Sequence, residues 1–166
     1  MHLNWLVIIG SALIPLLTGF VWYNPKTFGT IWMKASGVTE EQGKNANMPL
    51  IFGLTILFGI FIALAMVTVV IHQTHYYSLF ANDASMRDPN SALSKSIQAF
   101  MDINGQNFRT FKHGSFHGAL TGLLFAMPVL GVSALFEGKG RNYILVNTGY
   151  WVLTLALMGG VICAFA

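Results

Sequence analysis

Four stretches of the chain, residues 3–23, 49–71, 114–136 and 143–166, each run for more than twenty residues without a single Asp, Glu, Lys or Arg. A helix that crosses roughly 30 Å of hydrocarbon needs about 20 mostly apolar residues, so each stretch is long enough to span a bilayer. Backbone amides in lipid must be bonded internally, which leaves helices and closed barrels as the spanning structures. These stretches are too long and too evenly apolar for barrel strands, which alternate over about ten residues. The expected fold class is therefore all-α: an integral membrane four-helix bundle with short interfacial amphipathic helices, forming a single four-span domain over residues 1–166. Composition agrees, with 54 % hydrophobic and only 9 % charged residues, where soluble proteins carry about 25 % charged.

Met1-His2 supplies no basic n-region and no small-residue cleavage site follows the first stretch, so it reads as a retained span. An even number of spans puts both termini on one side. Lys26, Lys34, Lys44, Lys139 and Arg141 lie in the first and third connections, and Arg87, Lys95, Arg109 and Lys112 in the second. The denser charge of the two shorter connections leans toward placing them in the cytoplasm. The surplus of +3 is scattered, which fits lipid headgroups and not nucleic acid. Cys163 is the only cysteine, so no intrachain disulfide forms.

The first span ends in Trp22-Tyr23-Asn24-Pro25, where two aromatics suit the headgroup layer and Pro25 stops the helix. Phe28, Ile31, Trp32 and Ala35 then recur at helical spacing, as in a short interfacial helix. Thr39 with Gln42 three residues on forms a capping-box signature. The second connection, residues 72–112, is too long for a plain loop and should have structure of its own. After the turn signal Asp88-Pro89-Asn90-Ser91, Leu93, Ile97, Phe100 and Met101 form one apolar face opposite Ser94, Lys95 and Gln98. Residues 137–141 make a tight charged turn between the last two spans.

Inside the spans, Gly114, Gly118, Gly122 and Ala126 form a small-residue stripe that permits close helix packing, within the chain or against a second copy. Pro128 should kink the third span or interrupt its bonding. Asn4, Ser11 and Thr18 recur every seven residues on the first span, and Asn147, Tyr150, Trp151 and Thr154 share a face of the fourth. Polar groups at that depth usually cross-link helices. No Asp, Glu, Lys or Arg lies within a span, which disfavours an ion-coupled carrier. Phosphate-binding, zinc-protease and nucleophile-elbow motifs are lacking, so no catalytic residue is assigned.

One constellation stands out: His72 and His75 after the second span, and His113 and His117 at the start of the third. Antiparallel neighbours would bring all four to one membrane face. Spacings of three and four residues put both imidazoles of a pair on one side of a helix, the placement two nitrogens need to reach one ion. The four could hold Zn²⁺ or Cu²⁺ or supply axial ligands to a haem, with Thr68 in support. The alternatives are interfacial histidines bonding water and headgroups, or a proton-handling cluster.

The spacing Trp22-Tyr23-x-Pro25-x-x-Phe28-Gly29-x-x-Trp32, with His113-Gly114-x-x-His117-Gly118, Leu135-Phe136-Glu137 and Asn147-x-Gly149-Tyr150-Trp151, resembles an uncharacterised bacterial family. That family is known only as a domain of unknown function with four predicted spans, and the likeness is greatest to members from Bacteroidota. The resemblance implies a bacterial inner-membrane location and a four-span bundle, and no activity. It directs attention to Trp22, Tyr23, Pro25, Phe28, Gly29, Trp32, His113, Gly114, His117, Gly118, Asn147 and Tyr150; His72 and His75 are not part of the pattern.

Three functions fit these observations. One is a non-catalytic membrane subunit that acts in self-association or with a membrane partner protein through the glycine stripe and residues 93–101. Another is a bundle with a His-lined metal or haem site at one membrane face. The third is a small-solute channel lined by Asn4, Ser11, Thr18, Asn147 and Thr154.

Overall fold

The computed structural model describes residues 3–166; Met1 and His2, with the reading given them above, lie outside the described residues. Among those residues there are eight helices and no strand. Four are long and apolar enough to cross a membrane: α1 (Trp5–Trp22), α4 (Met48–Val70), α7 (Phe111–Phe136) and α8 (Arg141–Phe165). Between them lie α2 (Gly29–Ser36) and α3 (Glu40–Lys44) in the first connection, and α5 (Gln73–Ser78) and α6 (Ala92–Asn104) in the second.

Local chemistry sets the helix ends. Asn47 caps α4 by accepting from Leu50 N, with Pro49 in the first turn, where its missing N–H costs nothing. The helix α7 starts at Phe111, three residues before the apolar stretch, because the Thr110 hydroxyl accepts from His113 N. The capping box of α3 is complete: Gln42 N donates to Thr39 Oγ1 and Thr39 N to Gln42 Oε1. The two prolines in span interiors, Pro15 and Pro128, each follow a disturbed turn. Ser11–Leu13 is a 3-10 turn ahead of Pro15, and Gly122–Ala126 is a π-helical turn ahead of Pro128. A proline ring has no N–H to donate and crowds the carbonyl four residues back, so the ladder must change pitch there.

The helix α8, which carries Asn147, Thr148, Tyr150 and Thr154, is the most enclosed: 50 % of its span is buried against 11 % of α7. It packs on α7 along most of its length and on α1 and α4. The core is built from Ile8, Met66, Val70, Ile71, Leu155, Met158 and Ile162. Outward faces carry Leu6, Phe20, Phe125 and Leu135, all strongly exposed, an apolar surface that water does not tolerate and lipid does.

Glycines let the backbones meet. A Cβ on Gly59 would lie 2.5 Å from the carbonyl oxygen of Ala12, so α4 crosses α1 there. Cβ atoms on Gly114 and Gly118 would strike the carbonyls of Gly159 and Leu155, and one on Gly122 would lie 2.6 Å from Val152 Cα. The stripe on α7 is thus seated against α8 of the same chain, while Ala126 packs at the core's edge.

Polar side chains tie α1 to α8. The Thr18 and Thr154 hydroxyls lie 2.8 Å apart, the Tyr150 hydroxyl donates to Pro15 O at 2.8 Å, and Trp22 Nε1 donates to Val146 O at 3.1 Å. Ser11 donates to Ile8 O of its own helix, and Asn4 caps α1. In the second connection, buried Gln73 donates to the carbonyls of Asn104 and Asn107, and Tyr76 stacks on Phe100 of α6 at 4.4 Å. Ile97 is the buried residue of α6.

Candidate metal centre

The spans run alternately up and down, so the end of α4, the start of α7 and the end of α8 share one membrane face. The helix α4 stops at Val70, because Ile71 leaves helical geometry (φ −108°, ψ 89°). His72 therefore opens α5 instead of extending α4. Facing it, the Thr110 cap fixes the first turn of α7, which carries His113 and, one turn on, His117. Ring nitrogens of His72, His113 and His117 all lie within 4.8 Å of one another. His72 Nε2 and His113 Nε2 are 2.9 Å apart, one donating and the other accepting. The rings of His113 and His117 lie 4.5 Å apart, and that of His72 about 5.0 Å from His117.

Of the four histidines expected together, three converge. His75, a turn further along α5, falls outside the group; α5 is fastened toward α6 by Gln73 and Tyr76. Thr68 donates to Ala65 O of its own helix and not to an imidazole.

Desolvation pushes the His72 pKa below its ordinary value, and positive charge on His117 or His75 would push it further. Its ring is therefore neutral at pH 7 with a lone pair to offer. No carboxylate belongs to the group among the described residues. Three neutral imidazoles suit Zn²⁺ or Cu²⁺. At zinc–nitrogen distances of about 2.0–2.1 Å, tetrahedral ligand nitrogens lie about 3.4 Å apart. To reach that geometry the 2.9 Å pair would have to open by about 0.5 Å and the other pairs, within 4.8 Å, to close. Three protein ligands leave at least one coordination position for a ligand from outside.

Phe108 was not singled out as a site residue. It holds a left-handed backbone, φ 63°, rare outside glycine, and its ring tilts against His113 at 5.1 Å. Arg109 beside it reaches under α8, donating to the carbonyls of Cys163 at 2.8 Å and of Ala166. Its Nη2 and Nε thus satisfy carbonyls that a helix C-terminus leaves without partners. Two adjacent residues therefore border the triad and fasten α8. In the sequence Phe108, Arg109 and Phe111 are an ordinary aromatic and basic run ahead of the third span; the φ value and the reach of Arg109 have no local signal.

The aromatic motif residues form a corner at the opposite membrane face. Trp22 stacks on Phe28 at 4.3 Å, and Tyr23 packs on Trp32 at 5.3 Å and on Tyr150 at 5.0 Å. The Tyr23 hydroxyl donates to Asn147 Oδ1 at 2.8 Å, and burial pushes its pKa up. The Pro25 carbonyl accepts from Thr30, and a Cβ on Gly29 would strike the Tyr23 carbonyl. These residues shape a turn and lock it to α8, far from the histidines.

No curated protein and no solved structure matches the chain. A family model described as a protein of unknown function, DUF1761, matches residues 6–163. A match over nearly the whole chain, to a family whose description carries no activity, fixes kinship and leaves the histidine cluster to be interpreted on its own chemistry: the chain belongs to the DUF1761 family.

Proposed function

We propose that this protein is a multi-pass bacterial inner-membrane protein that holds one transition-metal ion, Zn²⁺ or Cu²⁺, through His72, His113 and His117 at a membrane face. The observation that carries the reading is the convergence of three ring nitrogens from two chain segments within 4.8 Å. Haem fits less well. Two axial ligands must approach iron from opposite sides of the macrocycle, and His72 and His113 at 2.9 Å leave no plane between them.

Self-association through the glycine stripe gains no support, since Gly114, Gly118 and Gly122 face α8 of the same chain. A solute path along the polar faces gains none either, because the Thr18 and Thr154 hydroxyls are buried against each other.

The test is elemental analysis and Co²⁺ substitution on the purified protein in detergent. One equivalent of metal with tetrahedral Co²⁺ absorption bands is expected. His113→Ala should weaken binding by more than about 100-fold, beyond the 10–100-fold typical of losing a residue that only supports a ligand. His75→Ala should bind as wild type does. A wild type that takes up neither Zn²⁺ nor Cu²⁺ would sink the proposal.

A further inference from the structure

We infer that the corner between α2 and the start of α8, at the membrane face opposite the histidines, binds one anionic glycerophospholipid. Its phosphate sits in a pocket lined by Lys34 and Arg141, and an acyl chain lies in the apolar groove below. This is independent of the metal reading. The pocket, of about 630 Å³, lies between Thr30, Lys34 and Ala35 of α2 and Arg141, Asn142 and Tyr143 of α8. A groove of about 420 Å³ adjoins it, walled by Trp22, Phe28, Leu145 and Val146. Ile31 and Asn142 line both hollows, so the two are continuous.

The walls are held in place. Lys139 Nζ donates to Ser36 O at 2.7 Å and so ties the turn before α8 to the end of α2. Below, Trp22 stacks on Phe28 at 4.3 Å and donates to Val146 O at 3.1 Å, which fixes the groove. From Arg141 in the pocket to Gly149 in the groove the lining follows α8 for about 12 Å at 1.5 Å per residue. Charge at the headgroup layer with apolar surface beneath it is the order in which a phospholipid presents its own parts.

Charge selects the head. Lys34 and Arg141 are exposed, and neither has an ion-pair partner among the described residues. None of the six carboxylate side chains lines either hollow. A phosphodiester satisfies both cations, whereas a choline or ethanolamine head brings an ammonium group that no carboxylate is there to receive. The first turn of α8 adds donors: it has no side-chain cap, and of its first three N–H groups only that of Tyr143 is bonded among the described residues, to Gly140 O. Continuity selects the remainder of the molecule. A fatty-acid carboxylate fills little of the upper pocket, and a free phosphate leaves the groove unfilled.

The experiment is native mass spectrometry of the full chain in mild detergent, titrated separately with dioleoyl phosphatidylglycerol, dioleoyl phosphatidylcholine, oleate and glycerol 3-phosphate. The wild type should bind one phosphatidylglycerol at least about tenfold more tightly than phosphatidylcholine. Lys34→Gln/Arg141→Gln should lose that preference. Lys26→Gln/Lys44→Gln removes the same charge from the same membrane face outside the pocket and should keep it. All four side chains are exposed, so both variants should fold, which an unchanged Tm checks. Equal binding of the two phospholipids by the wild type overturns the proposal, as does equal loss in both double variants, which assigns the preference to the charge of the face as a whole. Oleate bound as tightly as phosphatidylglycerol assigns the site to fatty acids, and glycerol 3-phosphate bound as tightly assigns it to free phosphate; either overturns the phospholipid. The metal site stands or falls separately, because none of these titrations involves the histidines.

Discussion

Replacing Gly118 by Ala tests how closely α7 is seated on α8. The added Cβ would strike the Leu155 carbonyl oxygen and come within 2.6 Å of Leu155 C and 2.9 Å of Ala156 Cα. Ordinary contact begins at 3.4 Å, so relieving the 2.6 Å contact alone needs a shift of 3.4 − 2.6, about 0.8 Å, between two backbones. No flexible side chain is there to yield. Overpacking costs typically 1–3 kcal/mol, and three backbone atoms in the way place this site near about 3 kcal/mol on that scale. Alanine recovers up to about 1 kcal/mol of helix propensity. The net loss is about 2 kcal/mol, equivalent to roughly 4–8 °C in Tm for a chain of this size. Buried Cys163, the only thiol, provides the assay: a maleimide fluorophore reacts as heating exposes it. Gly53→Ala is the control, since its Cβ would meet nothing within 4 Å, and its Tm should hold or rise. Equal melting of the two variants would refute the close seating of α7 on α8.

Further outcomes follow from other contacts. Tyr23 has its pKa raised in the folded protein, chiefly by burial and then by Tyr150 and Tyr143. The stability it contributes is present below its unfolded pKa of about 10 and is lost as pH rises above it. Tyr23→Phe should flatten that alkaline decline in a melting series, while costing about 1 kcal/mol at neutral pH for the lost bond to Asn147. Arg109→Ala removes donors from the carbonyls of Cys163 and Ala166, at about 1.5–3 kcal/mol for bonds to a charged group. It should speed maleimide labelling of the folded protein at Cys163 by about tenfold or more; an unchanged rate would mean Arg109 does not hold the end of α8. Thr154→Val should cost at most about 1 kcal/mol in a melting series, because Thr18 keeps Ile14 O as acceptor at 2.8 Å. A larger loss would show the Thr18–Thr154 contact to be more than one replaceable bond.

What the sequence determined by itself is whatever a chain decides within a turn or two. Hydrocarbon forces every backbone amide into an internal bond, so four uncharged apolar runs could only become four helices, as they do. The capping box at Thr39 and the stop after Trp22-Tyr23 are local in the same sense. Pro128 announced a disturbed ladder, which takes the form of a π-helical turn. Tertiary structure decided which helix lies inside: α8, whose polar groups need partners that lipid cannot give. It also decided which histidines meet. Spacing put His72 and His75 on equal terms, but α4 ends at Val70 and α5 is drawn toward α6, so His72 joins the α7 pair and His75 does not. A period fixes the face on which a side chain stands. The rotation of one helix against its neighbour, set by close contacts such as those of Gly114, Gly118 and Gly122 with α8, fixes what that face meets.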